Sequence, residues 1–163
     1  MKFIRFFILT ILFAFEACAG ENPSVDVTWV GLYSVTSSSK VSERNSLSGE
    51  VSQSRGFQHV STTARIPAVK GTRFGFGFVL SDTDPQAFKV RYVWRFPDGG
   101  LINTSTGQAS DHFEIERSCK VGDSCANAWV FNHDWELKPG TWSAEVWLGQ
   151  KMIVSRKFEV YLP

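Results

Sequence analysis

Along most of the chain large apolar residues alternate with polar ones, the spacing that sends successive side chains to opposite faces of an extended strand. The clearest run is residues 89–96, where Val90, Tyr92, Trp94 and Phe96 share one phase and Lys89, Arg91, Val93 and Arg95 the other. The first set predicts a core face and the second a mostly basic face toward solvent. Phe74, Phe76 and Phe78 alternate with Arg73, Gly75 and Gly77, which predicts large rings on one side and either a bulge or a close backbone approach on the other. Trp142, Ala144, Val146 and Leu148 form another run. After Gly149-Gln150 come Met152, Val154, Phe158 and Val160, with a change of phase at residues 155–157. A hairpin with a small bulge there is the natural expectation.

Residues 25–35, 59–66, 113–116 and 128–131 carry the same signal more briefly, while residues 82–85, Pro97-Asp98-Gly99-Gly100 and Pro139-Gly140 supply turn chemistry between runs. Helical periodicity is nearly absent. About seven to nine short strands without helical connectors predict an all-β chain, an immunoglobulin-like antiparallel β-sandwich or a related open barrel. Residues 37–54 stand apart: eight of these eighteen are serine, and Val41, Leu47 and Val51 are the large apolar groups. Such a stretch buries little surface, so a long serine-rich loop or a poorly paired hairpin is expected.

The N-terminus changes the picture of where the chain works. Lys2 and Arg5 precede an apolar run at residues 6–15, and small residues Ala17, Cys18 and Ala19 follow. This is the anatomy of a secretory signal cleaved after Ala19. The run is broken by Thr10 and closed by Glu16, short of the roughly 20 apolar residues of a permanent span. Phe15 and Glu16 also fit poorly before a lipid-modified Cys18, so a soluble periplasmic or secreted product is preferred to a lipoprotein. Cleavage leaves 163 − 19 = 144 residues, a single domain at residues 20–163. Its charge is 17 − 2 = 15 basic against 16 − 1 = 15 acidic residues, which gives nucleic acid and anionic membranes no bulk attraction. It retains two cysteines, Cys119 and Cys125, flanking the turn-forming Gly122-Asp123. In an oxidising compartment they are expected to form a structural disulfide.

Candidate chemistry is sparse. His59, His112 and His133 are far apart, and no His-x-His, His-Glu-x-x-His or Gly-x-Ser-x-Gly pattern is present. No catalytic residue, metal ligand or cofactor site is assigned; a hydrolase whose site is assembled only in space is the alternative from another class. Asp111-His112 and His133-Asp134 are adjacent pairs, and neighbours along a strand point to opposite faces. Two features suit a ligand surface. Among six tryptophans, Trp94 and Trp142 lie on core phases, whereas Trp129, Trp135 and Trp147 are candidates for exposure and, if coplanar, for stacking on sugars. The basic stripe Lys89, Arg91 and Arg95 suits an anionic group. The competing readings are core packing for the indoles and an ordinary solvated sheet face for the stripe.

Ile66-Pro67-Ala68, Gly71-Thr72-Arg73-Phe74-Gly75, and Leu137-x-Pro139-Gly140-x-Trp142 leading to Gly149 and Phe158-x-Val160, together with Gly31-Leu32-Tyr33, resemble the bacterial exported proteins carrying the domain of unknown function numbered 3859. The segment around Cys119–Cys125 and the serine-rich stretch depart from that pattern. The resemblance implies an exported domain without an assigned activity and supplies no catalytic residues.

The sequence therefore leads to an exported, non-catalytic binding or interaction module. Its partner would be a cell-envelope protein or a glycan, with a carbohydrate-binding module as a narrower alternative. The export reading predicts that the product recovered from a soluble periplasmic or extracellular fraction begins at Gly20. Mass spectrometry of the intact protein checks this, and an acylated N-terminal Cys18 would reverse it.

Overall fold

A computed structural model describes residues 23–81 and 87–163. The expected signal segment at 1–19 and the turn expected at 82–85 lie outside the described residues. The strands are β1 (Ser24–Ser34), β2 (Ser37–Ser42), β3 (Glu50–Arg55), β4 (Gln58–Ser61), β5 (Arg65–Pro67), β6 (Arg73–Ser81), β7 (Ala87–Arg95), β8 (Leu101–Ile102), β9 (Ala109–Ser110), β10 (His112–Lys120), β11 (Ser124–Val130), β12 (Gly140–Leu148) and β13 (Lys151–Tyr161). One 3₁₀ turn, Asp134–Glu136, precedes β12. Among the described residues no helix is long and apolar enough to cross a membrane.

Two sheets form the sandwich, one in the order β11-β6-β1-β4 and one in the order β10-β7-β12-β13-β5, or 4 + 5 = 9 strands. Pairing is antiparallel except where short β5 runs parallel to β13. The other four strands make two ribbons, β2-β3 and β8-β9.

Alternation on β6 organises the core. Phe74, Phe76, Phe78 and Leu80 are fully buried and meet Val90 and Trp94 of β7, Trp142 and Val146 of β12, and Phe158 of β13. Phe74 sits edge-on to Trp94 at 5.2 Å, Phe158 at 5.3 Å and Trp142 at 6.0 Å, the arrangement that ring quadrupoles favour. Burying each such side chain contributes roughly 1.5–3 kcal/mol. The Trp142 indole N–H donates to the Lys138 carbonyl at 3.0 Å, so its polar edge is satisfied inside the core.

The glycines on the other face of β6 allow the close approaches their positions suggest. A register shift on β1 between Val27 and Trp29 sets Trp29 opposite Gly77 and Gly31 opposite Gly75. A Cβ at Gly77 would lie 2.1 Å from Trp29 Nε1, and one at Gly75, where φ is +155°, would lie 2.4 Å from the Asn127 carbonyl oxygen of β11. One glycine therefore admits an indole and the other a neighbouring strand.

Two local expectations change. The irregularity of the C-terminal hairpin falls between Val146 and Trp147 of β12, opposite Ile153, and not at residues 155–157. Alternation on β13 runs on through Val154, Arg156, Phe158 and Val160, and Arg156 takes an inward phase with its Nη1 donating to the Ser155 carbonyl at 2.7 Å. A guanidinium on a long apolar stem can occupy a core phase while its charged end turns back. The serine-rich segment folds as a hairpin with six cross-strand pairs, from Ser37 with Arg55 to Ser42 with Glu50. Backbone pairing, the Ser38–Ser54 hydroxyl contact and the Lys40–Glu50 ion pair hold it in place of an apolar core. Leu47 at its turn packs against the sandwich, and its carbonyl accepts from Asn103 Nδ2 at 2.7 Å.

Cys119 of β10 and Cys125 of β11 form a disulfide with Cα atoms 6.0 Å apart. Because β10 edges one sheet and β11 the other, the bond staples the two layers at one end of their open side. It closes a short loop, so its stabilisation lies near the low end, about 2–3 kcal/mol in the chain-entropy account. A Cys119→Ser, Cys125→Ser double variant should keep the strand-rich circular dichroism spectrum and melt on the order of 5–10 °C lower. A variant unfolded at room temperature would show that the staple carries the fold.

Candidate functional site

The sheets part between the edge strands β10 and β11, and the gap is a cavity of about 160 Å³. Tyr92 and Trp94 of β7 form its floor, Phe113, Ile115 and Arg117 of β10 one wall, and Ala126, Asn127, Ala128, Trp129 and Val130 of β11 the other. The serine hairpin roofs it with Ser46, Ser48 and Ser52. Strand periodicity explains the wall: on β10, Glu114 and Glu116 take the outward phase and Phe113, Ile115 and Arg117 the inward one. Both parities of β11 reach the cavity because a strand at a sheet edge presents its side as well as its faces.

One residue of the wall carries an unpaired buried atom. Trp129 is surrounded by Phe96 at 5.5 Å, Trp94 and Trp142 at 5.7 Å and Phe113 at 5.9 Å. Its Nε1 is buried and makes no hydrogen bond among the described residues. A buried donor left so is costly and uncommon. Burial pushes the Tyr92 hydroxyl up to about 12, with the Arg117 cation pulling the other way. Asn127, by contrast, is spent on structure: its Nδ2 donates to the Glu145 carbonyl at 2.8 Å and ties β11 to β12 across the sandwich.

Glu136 closes the far end. Its Oε2 accepts the backbone N–H of Asn132 at 2.5 Å and of His133 at 2.7 Å. Burial nevertheless raises the carboxyl to about 7, against those two N–H groups and the Lys40 cation. Asn132 Nδ2 in turn donates to Ser52 Oγ at 3.3 Å, linking this turn to the hairpin roof.

The residues singled out from sequence are dispersed. Trp129 lines the cavity. Trp135 stacks on His133 at 5.2 Å and 8°. Trp147 lies on the outer face of the five-stranded sheet, with Arg91 5.4 Å over its ring and its Nε1 donating to Glu145 Oε2 at 2.8 Å. Trp129 lies in the gap between the sheets and Trp147 on the outer face of one of them, so these two do not form one stacking platform. Along the basic stripe, Arg91 pairs with Glu114 at 3.1 Å and Arg95 with Glu145 at 2.8 Å, while Lys89 stands opposite Ser118 and makes no ion pair among the described residues. Asp111 and His112, expected to diverge, are joined at 2.6 Å. Asp111 lies in the bend before β10, free of strand alternation, and its bond to His112 holds the carboxyl below the usual range.

Glu136 and the cavity-facing serines escaped the sequence reading. Glu136 follows His133 by three positions, the spacing at which a carboxylate reaches back to cap a turn, and that was the available signal. Its burial was not, because Leu47 and Phe113, which line a small space together with it, come from distant segments.

The raised carboxyl gives a pH prediction. Folding lifts Glu136 from 4.5 to about 7, so the native chain keeps a proton that the unfolded chain has released. Its contribution is fully present below pH 4.5 and is lost as pH rises through about 7, by up to about 3 kcal/mol. Glu136→Gln, which keeps an acceptor for the two N–H groups, should flatten this slope and raise stability at pH 8. Urea midpoints measured from pH 4 to 8 read both effects.

Comparison with known proteins places the chain. It is similar in structure to an immunoglobulin-like protein from Pseudomonas aeruginosa determined by crystallography, with 20% identity and a TM-score of 0.61 over 87% of this chain and 100% of that one. That likeness shows the fold, an immunoglobulin-like antiparallel sandwich. No curated protein matches the chain. The family model described as Domain of unknown function (DUF3859) matches residues 21–160. This match spans both sheets and the serine hairpin, and the chain belongs to the DUF3859 family.

Proposed function

We propose that this protein is an exported, non-catalytic binding module and that its ligand enters the cavity between β10 and β11. The observation that carries this reading is the cavity itself, about 160 Å³ and walled by aromatic side chains of both sheets, Trp94, Phe113 and Trp129 among them. The non-catalytic part follows the family, a domain of unknown function that supplies no catalytic residues to carry over. Export is supported by the N-terminal signal anatomy and by a disulfide of the kind that persists in oxidising compartments.

The test fills the site. Mature protein and an Ala126→Trp variant, immobilised in parallel, are exposed to an extract of the cell envelope. Material retained by the wild-type chain, protein or glycan, should be lost from the filled variant and recovered chemically unchanged. Equal retention by both would remove the cavity as the binding site, and recovery in cleaved form would favour the hydrolase.

A further inference from the structure

We infer that the free edge of β11 takes an extended peptide segment of a partner protein as an added strand. This rests on the reading of the gap between β10 and β11 as the ligand site and names the chemistry of the occupant. Ladder phase comes first. The Phe131 N–H donates to the Thr72 carbonyl at 3.1 Å, and β11 pairs with β6 without a break from Ser124 to Val130. Antiparallel pairing alternates, so Cys125, Asn127 and Trp129 turn their backbone groups toward β6 while Ala126, Ala128 and Val130 turn theirs away. The Asn127 carbonyl oxygen agrees with this phase, since a Cβ on Gly75 of β6 would lie 2.4 Å from it.

The three N–H and three C=O groups turned away make no hydrogen bond among the described residues, and all three residues line the cavity. The serine hairpin lies over them without joining the ladder. Donors and acceptors that repeat at every second residue, over about 13 Å of strand, match the edge of another strand.

The opposite edge is guarded. On β10 the Phe96 N–H donates to the Asp111 carbonyl at 2.9 Å, which turns the backbone of His112, Glu114 and Glu116 outward. Ser110 Oγ donates to the His112 carbonyl at 2.6 Å and accepts its N–H at 3.3 Å. Arg117 Nη1 donates to the Glu116 carbonyl at 3.0 Å. Glu114, Glu116, Arg117 and Lys120 also set charges along this strand, and charges on an edge deter pairing. From 124 to 130, β11 reads Ser-Cys-Ala-Asn-Ala-Trp-Val, with no charged residue.

A strand added to β11 continues the four-stranded sheet, and its side chains alternate between the two faces. One set enters between the layers toward Trp94 and Phe113. An apolar cavity of about 150 Å³ accepts benzene, so the 160 Å³ here admits one large apolar side chain as an anchor. The disulfide at Cys125 bounds the edge at one end and the end of β11 at Val130 bounds it at the other. About five residues of the partner would pair.

Random nonapeptides displayed on phage are selected on immobilised mature protein, and those recovered are synthesised with capped ends. At least one should slow hydrogen exchange at the Ala126, Ala128 and Val130 amides tenfold or more while leaving Asn127 and Trp129, already bonded to β6, little changed. Methylating alternate peptide nitrogens should abolish binding for one parity and spare it for the other. Ala128→Pro removes an outward N–H and no bond to β6, a replacement that edge strands tolerate, and should weaken the peptide about tenfold. Should that variant not fold, the methylated peptides make the same test on the wild-type chain. Equal binding of both methylated parities, or no peptide that protects the three amides, would overturn strand addition. Protection of these amides in the free protein that rises with its concentration would make the occupant a second copy and overturn the partner peptide. If envelope material is lost from Ala126→Trp and yet no peptide protects the amides, the added strand falls while the cavity remains the ligand site. If the wild-type chain retains neither envelope material nor peptide, both fall.

Discussion

Strand β6 is built with phenylalanine on one face and glycine on the other, and the sandwich depends on that asymmetry. Phe74, Phe76 and Phe78 reach inward to fill the space between the layers, while Gly75 and Gly77 leave the outer face thin enough for β11 and Trp29 to lie close. A side chain at Gly75 would push against the backbone of β11, and β11 is the strand from which Trp129 and Asn127 face the cavity. The geometry of the gap is thus tied to a missing methyl group on its neighbour.

The open side of the sandwich is closed by three unlike devices. At one end Cys119–Cys125 joins the edge strands covalently. At the other a 3₁₀ turn is held by the buried Glu136 carboxyl. Between them the serine hairpin lies over the gap, attached through Asn103 to the Leu47 carbonyl and through Asn132 to Ser52. Strand-to-strand pairing is not among them, since β11 ends one sheet and β10 the other. The space survives because neither edge is completed by a ladder from the other layer.

Much of the fold was legible because alternation is local. The phases of Val90, Tyr92, Trp94 and Phe96, of Phe74 to Phe78 and of Trp142 to Val146 follow from two-residue spacing alone, and all of these but Tyr92 are buried. The serine hairpin was harder, since its order comes from backbone pairing that serine neither advertises nor prevents. Register shifts on β1 and β12 leave little trace in composition. The site was nearly illegible for a different reason. Trp129 reads equally well as a rim or a wall, and what decides between them is Phe96, Phe113 and Trp142 arriving from three other segments. The partners of the basic stripe were out of reach in the same way, because Glu114 and Glu145 meet Arg91 and Arg95 only across strands.

Those cross-strand pairs bear on how any ligand arrives. With each arginine matched to a carboxylate within about 3 Å, the outer sheet presents alternating dipoles whose field dies away over a few ångströms, and the whole chain carries a formal net charge of only +1. Such a surface neither gathers nor repels charged molecules from a distance. Encounter is then left to unassisted diffusion, with association rates in the ordinary range of about 10⁵–10⁷ M⁻¹s⁻¹ and little sensitivity to salt. Discrimination among the crowded polymers of an envelope would fall to contact and to the lifetime of the complex.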